Sequence, residues 1–142
     1  MFNHILVAID GSTHSHSTLS TTIEVAKKFQ ADVLVVNFIE HEVGRASVYP
    51  TETLEEAKKL VADAVKTVQA AGITAHSQVS DVAHGHAAKA IVDIAHEKGV
   101  NLIVMGSRGL SNIQGLLLGS VTHKVMQLAN IPVLVDRGPA KG

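Results

Sequence analysis

The chain has 142 residues, 46% of them hydrophobic, with 12 Lys and Arg against 13 Asp and Glu. That length and a mean hydropathy of +0.23 fit one globular domain and exclude a disordered chain. Near-balanced charge, 3% aromatic residues and no Trp leave no polybasic or base-stacking surface for nucleic acid, and the lack of Cys excludes disulfides, thiolate catalysis and zinc–cysteine sites.

The chain opens MFNHILVAIDGS, with no basic segment ahead of an apolar stretch and no cleavage signature. No apolar run approaches the ~18 residues of a membrane span, so the expectation is a soluble cytoplasmic protein without membrane insertion. Residues 5–9 form a Val/Ile/Leu-rich run without polar alternation, the mark of a parallel strand buried on both faces. A helical pattern follows over 18–29, then a second buried strand over 33–39. Residues 40–52, with Gly44 and Pro50, read as the longest irregular connection. The clearest helix covers 54–71, with Leu54, Ala57, Leu60, Val61, Ala64, Val65 and Val68 along one face. Thr53 and Glu56 make a capping box at its start, and Gly72 is its stop signal. Residues 73–79 alternate polar and apolar, as an edge strand does. A helix over 87–98, a buried strand over 102–105, a helix over 121–129 and a strand over 131–135 complete the chain. Alternation of this kind predicts a single-domain α/β sandwich over residues 1–142, with right-handed crossovers and a mostly parallel sheet.

Ligands of open parallel sheets bind beyond the carboxyl ends of the strands, where the winding reverses. Asp10, Gly11 and Ser12 follow the first strand and Gly106 follows the fourth, so the two features share a crevice if those strands are neighbours. The stretch MGSRGLSNIQGLLLGS, residues 105–120, supplies spaced glycines and then Gly119 and Ser120 ahead of a helix. Glycine lets a phosphate approach the backbone closely, and helix N-terminal N–H groups attract anions. The same residues also suit a ligand-free turn in which Ser120 caps the helix. Neither GxxxxGK[ST] nor GxGxxG is present, so a Walker A site and a dinucleotide site of the usual type are not indicated.

The stretches HILVAIDGS, GHAAKAIVDIAHEKGVNLIVMGSRG and LLLGSVTHKVMQLANIPVLVDR resemble the universal stress protein family over nearly the whole chain. Gly106, Gly109, Gly119 and Ser120 match at every spacing the G-x2-G-x9-G-[ST] pattern of its ATP-binding branch. The resemblance implies a Rossmann-like sandwich of five parallel strands in order 3-2-1-4-5 with four helices, which makes the first and fourth strands neighbours. It implies that Gly106, Arg108 and Gly109 shape the loop around ribose and phosphates. Gly119, Ser120 and Val121 would hold the β- and γ-phosphates, and Asp10 would face the ribose-phosphate region or a bound Mg2+. Ala8, Phe38, Ile39 and Met105 would border the adenine. Ala8 stands where some ATP-binding members carry proline, and Phe38 where a smaller aliphatic residue is frequent. Both departures bear on the fit of the base and not on the phosphates.

The function so implied is an ATP-binding regulatory or stress-response protein with an unidentified protein partner. A slow ATPase and a nucleotide-independent dimeric scaffold are the alternatives. No general base or arginine finger is legible for a vigorous enzyme. The last strand, Ile131 to Val135, is an apolar edge that invites pairing, and the resemblance makes it a homodimer seam, with higher oligomers open. His14 and His16, and His84 and His86, resemble metal pairs, but each lacks a third ligand at persuasive spacing and reads as exposed. His123 reads as a surface or packing residue. Leu116, Leu117 and Leu118 are expected to anchor the glycine loop against the body.

Overall fold

The computed structural model describes residues 1–44, 47–50, 53–107 and 119–138. Its central strand β1 (His4–Ala8) buries Ile5, Leu6, Val7 and Ala8, which is why the run shows no polar alternation. β1 pairs in parallel with β2 (Asp32–Gly44) on one side and β5 (Leu102–Gly106) on the other. β4 (Ala75–Ala83) lies outside β2 and β6 (Val133–Asp136) outside β5, both parallel. These five strands run in the expected order, 3-2-1-4-5.

A sixth strand departs from the expectation of an irregular connection over 40–52. β2 continues to Gly44, and its end pairs antiparallel with β3 (Ser47–Pro50), Val43 opposite Val48. Ladder pairing here overrides the turn signals of Gly44 and Pro50. Pro50 ends an outer strand, where a missing N–H is tolerated. The long β2 also extends its partner: β4 runs to Ala83 instead of residue 79 because Ser80, Asp81, Val82 and Ala83 find register with Phe38, Ile39, Glu40 and His41.

α1 (Thr13–Phe29) and α2 (Leu54–Ala70) cover one face of the sheet, packing Leu19, Ala26, Val61, Ala64 and Val68 on Ile5, Val7, Val33, Val35 and Val104. α3 (Ala87–Glu97) and α4 (Ser120–Leu128) cover the other, with Ile91, Ile94 and Val125 on Leu6, Val36 and Ile103. Each fully buried aliphatic side chain contributes about 1.5–3 kcal/mol relative to exposure, so the two apolar layers outweigh any single polar contact. α2 starts as its sequence predicts. The Thr53 hydroxyl accepts the Glu56 N–H at 3.1 Å and donates to the Glu56 carboxylate at 2.9 Å. The chain then leaves α2 through Gly72, at φ +84°. α1 starts five residues before the predicted 18, because the polar stretch from His14 to Ser17 carries no apolar periodicity. β4 and β6 each have one ladder partner among the described residues, which leaves both as edges.

Candidate nucleotide-binding site

Pairing of β1 with β5 brings Val7 opposite Val104, so the loop after β1 and the end of β5 emerge side by side at the carboxyl edge of the sheet. The first wall of the crevice is the turn Asp10–Gly11–Ser12. Ile9 is fixed to β2 by its N–H on the Val36 carbonyl at 3.0 Å and by the Asn37 side-chain amide on its own carbonyl at 2.7 Å. Gly11 takes φ +82°, a conformation that side chains resist, and Ser12 returns to extended backbone as the N-cap of α1. The Asp10 carboxylate folds back over this turn, and Oδ1 accepts the Ser12 N–H at 2.9 Å and the Ser15 hydroxyl at 3.0 Å. The loop and the first turn of α1 thus aim a half-buried carboxylate before any ligand arrives.

The second wall is the exit from β5 and the entry to α4. Thr122, 1% exposed, donates its hydroxyl to the Gly106 carbonyl at 2.9 Å. The Gly119 N–H donates to the Ser107 carbonyl, which joins the residue after β5 to the residue before α4. The Ser107 N–H donates to the Asp136 carbonyl at 2.8 Å, and the Asp136 carboxylate accepts the Ser17 hydroxyl at 2.7 Å. Gly119 is the N-cap of α4, with φ −65° and ψ 154° and no side-chain cap, so Ser120 is the first helical residue instead of the cap. The opening turn of a helix directs N–H groups out of its own ladder, with the positive end of the dipole behind them. Gly106, Gly119, Ser120 and Val121, which come from both ends of the glycine pattern, therefore meet in one place.

The other predicted site residues divide. Arg108 and Gly109 lie outside the described residues, as do Leu116, Leu117 and Leu118. Ala8, Phe38 and Met105 share one packed cluster with α3 and α4. Ile39, 2% exposed, falls by strand alternation on the opposite face from Phe38. Asn37 is also buried, and its Oδ1 has no hydrogen-bond partner among the described residues. Thr122, Asp136 and Ser17 had no signal in the sequence, because each acts through a residue 16 or more positions away.

The histidines that suggested metal pairs are spread out. His14 and His16 sit in the first turns of α1. His84 lies 3.2 Å from Glu40, His41 bonds Asp81 at 2.9 Å across the strands, and His86 is the N-cap of α3. Among the described residues no three His, Asp or Glu side chains converge as a metal site. His123 is exposed on α4. No described helix is long and apolar enough to cross a membrane.

The sequence matches the model of the universal stress protein family over residues 1–137. It is 36% identical to universal stress protein YxiE of Bacillus subtilis, over 96% of this chain and all of that protein. Among solved structures, protein MJ0577 of Methanocaldococcus jannaschii aligns with a TM-score of 0.80 at 26% identity, covering 99% of both chains. A universal stress protein of Archaeoglobus fulgidus in complex with dAMP aligns at 0.71 and 27%, covering 95% of this chain and 98% of that one.

Proposed function

The chain belongs to the universal stress protein family, and we propose that it is a nucleotide-responsive regulatory protein whose ligand is ATP with Mg2+. The observation that carries this reading is the meeting of Gly106 with Gly119, Ser120 and Val121 through the Thr122–Gly106 and Gly119–Ser107 hydrogen bonds. Phosphates lie against the first turn of α4, where amide N–H groups and the helix dipole favour an anion. Gly106 and Gly119 admit them without a Cβ in the way. Arg108 and Gly109 complete the loop around ribose and phosphates. Asp10, a hard oxygen donor held by Ser12 and Ser15, suits the ribose or a Mg2+ that takes its remaining ligands from phosphate and water. Ala8, Phe38 and Met105, which share one face of the sheet, border the base, and Ile39, whose side chain lies on the other face, borders it through its backbone. The dAMP complex of the Archaeoglobus relative supports an adenine nucleotide as the class of ligand.

Regulation needs a contact that differs between the bound and empty states. Ser107 provides one, because its N–H is bonded to Asp136 at the end of β6, the open edge proposed to pair with a second copy; that strand runs from Val133 to Asp136, two residues later in its start than the Ile131 to Val135 expected from sequence. Nucleotide against Gly106 and Gly119 therefore acts one hydrogen bond away from the dimer seam. The test is calorimetric titration of ATP and Mg2+ into protein stripped of nucleotide, beside a Gly119→Ala, Ser120→Ala double variant. The Gly119 backbone angles are open to alanine, so the variant keeps its chain path. Saturable binding that the variant loses is expected. A folded wild type that takes up no ATP refutes the reading and leaves a nucleotide-independent scaffold.

A further inference from the structure

On the face of the sheet away from Phe38 and Met105, α1 and α2 diverge around a cleft of about 300 Å³. Its apolar lining includes Leu19, Ile23 and Leu60, and its polar lining includes Ser20, Asp63 and Thr67. That is the low end of the range for small-ligand sites. Asp63 is the one carboxylate among the residues that line the cleft, and His16 brings an imidazole to its rim. The cleft therefore offers an apolar bed beside one carboxylate. In this structure that carboxylate is held by Lys59, Nζ to Oδ2 at 2.7 Å, one helical turn back on α2. Both partners are more than half exposed, and an exposed pair of this kind contributes little, so another cation exchanges for Lys59 at small cost.

We propose that the α1–α2 cleft binds small organic ammonium ions with a single apolar body, of the arylalkylamine class. The ammonium takes the place of Lys59 on Asp63, and the apolar body covers Leu19, Ile23 and Leu60. Charge complementarity selects a cation over an anion of the same shape, and the apolar bed selects it over a bare ammonium ion. One end of the cleft reaches Gly11, Ser12 and Ser15, the turn that holds Asp10, but Asp63, Leu19, Ile23 and Leu60 take no part in the crevice at Gly119, so amine binding is tested without nucleotide.

The experiment is an amide-resolved NMR titration with phenethylamine in the absence of nucleotide, beside 3-phenylpropionate as the anion of matching body. Saturable shifts centred on Leu19, Ile23, Leu60 and Thr67 are expected with the amine and absent with the acid. Asp63→Asn weakens the amine by about fivefold, and Lys59→Ala strengthens it, because the internal competitor is gone. Should Asp63→Asn lose its folded spectrum, the amine–acid pair on the wild type and the Lys59→Ala variant decide. Equal response to amine and acid, shifts centred elsewhere, no saturation, or an unchanged affinity in folded Asp63→Asn each overturn the proposal.

Discussion

Thr122→Val removes one hydroxyl from a nearly inaccessible residue of α4 and keeps its branched shape. The hydroxyl is the donor to the Gly106 carbonyl at 2.9 Å. A hydrogen bond of this kind contributes ~1 kcal/mol net, and stranding a buried acceptor raises the loss to about 1.5–2.5 kcal/mol. Unfolding entropy near 2.1 cal/mol/K per residue gives roughly 0.3 kcal/mol/K for a chain of this length, so Tm falls by about 5–8 °C. Urea and thermal unfolding followed by circular dichroism, at one fixed protein concentration because β6 is an open edge, measure it. The same substitution frees the end of β5 from α4, so ATP affinity falls with stability. A variant within ~0.3 kcal/mol of wild type, at unchanged cooperativity, refutes the claim that this hydroxyl ties the exit of β5 to the entry of α4 within the second wall of the crevice.

Thr53→Ala breaks both halves of the α2 capping box and costs about 1 kcal/mol in urea unfolding; Glu56→Ala in the same background then adds less than it does alone. The hydrogen bond from Lys59 holds the Asp63 carboxyl below its ordinary 3.8. Its small stabilisation is therefore complete above that value and is lost as pH falls through the lowered one. The Lys59 ammonium is raised above 10.5 by the same bond, so its share is complete below that value and lost as pH rises through the raised one. Carboxyl-resolved NMR titration should show Asp63 returning to the usual range in Lys59→Ala, and an unmoved titration contradicts the pairing.

The parallel core was legible because burial on both faces leaves a distinctive sequence. Residues 5–9, 33–39 and 102–105 have no polar face, and such runs belong in the middle of a covered sheet. The capping box at Thr53 and the stop at Gly72 were legible because both are local. The antiparallel strand at Ser47 was not, because its pairing with residues 41–44 outweighs the turn signals of Gly44 and Pro50. The start of α1 was missed for the complementary reason. His14, Ser15, His16 and Ser17 show no apolar periodicity, and the helix begins there because the chain must turn at Gly11 to lay Leu19 on the sheet. Within the candidate site, the glycine–serine spacing is what suggests a phosphate loop. The bonds that assemble it, from Thr122 to Gly106 and from Gly119 to Ser107, exist only once the fold has brought the two ends together.

The most direct test of a phosphate site shared by β5 and α4 is amide hydrogen exchange on the stripped protein, with and without saturating ATP and Mg2+. The account predicts added protection at Gly106, Ser107, Gly119, Ser120 and Val121, with the amides of Leu19, Ile23, Leu60 and Thr67 unchanged. Saturable ATP binding that leaves those five amides as they were would contradict it.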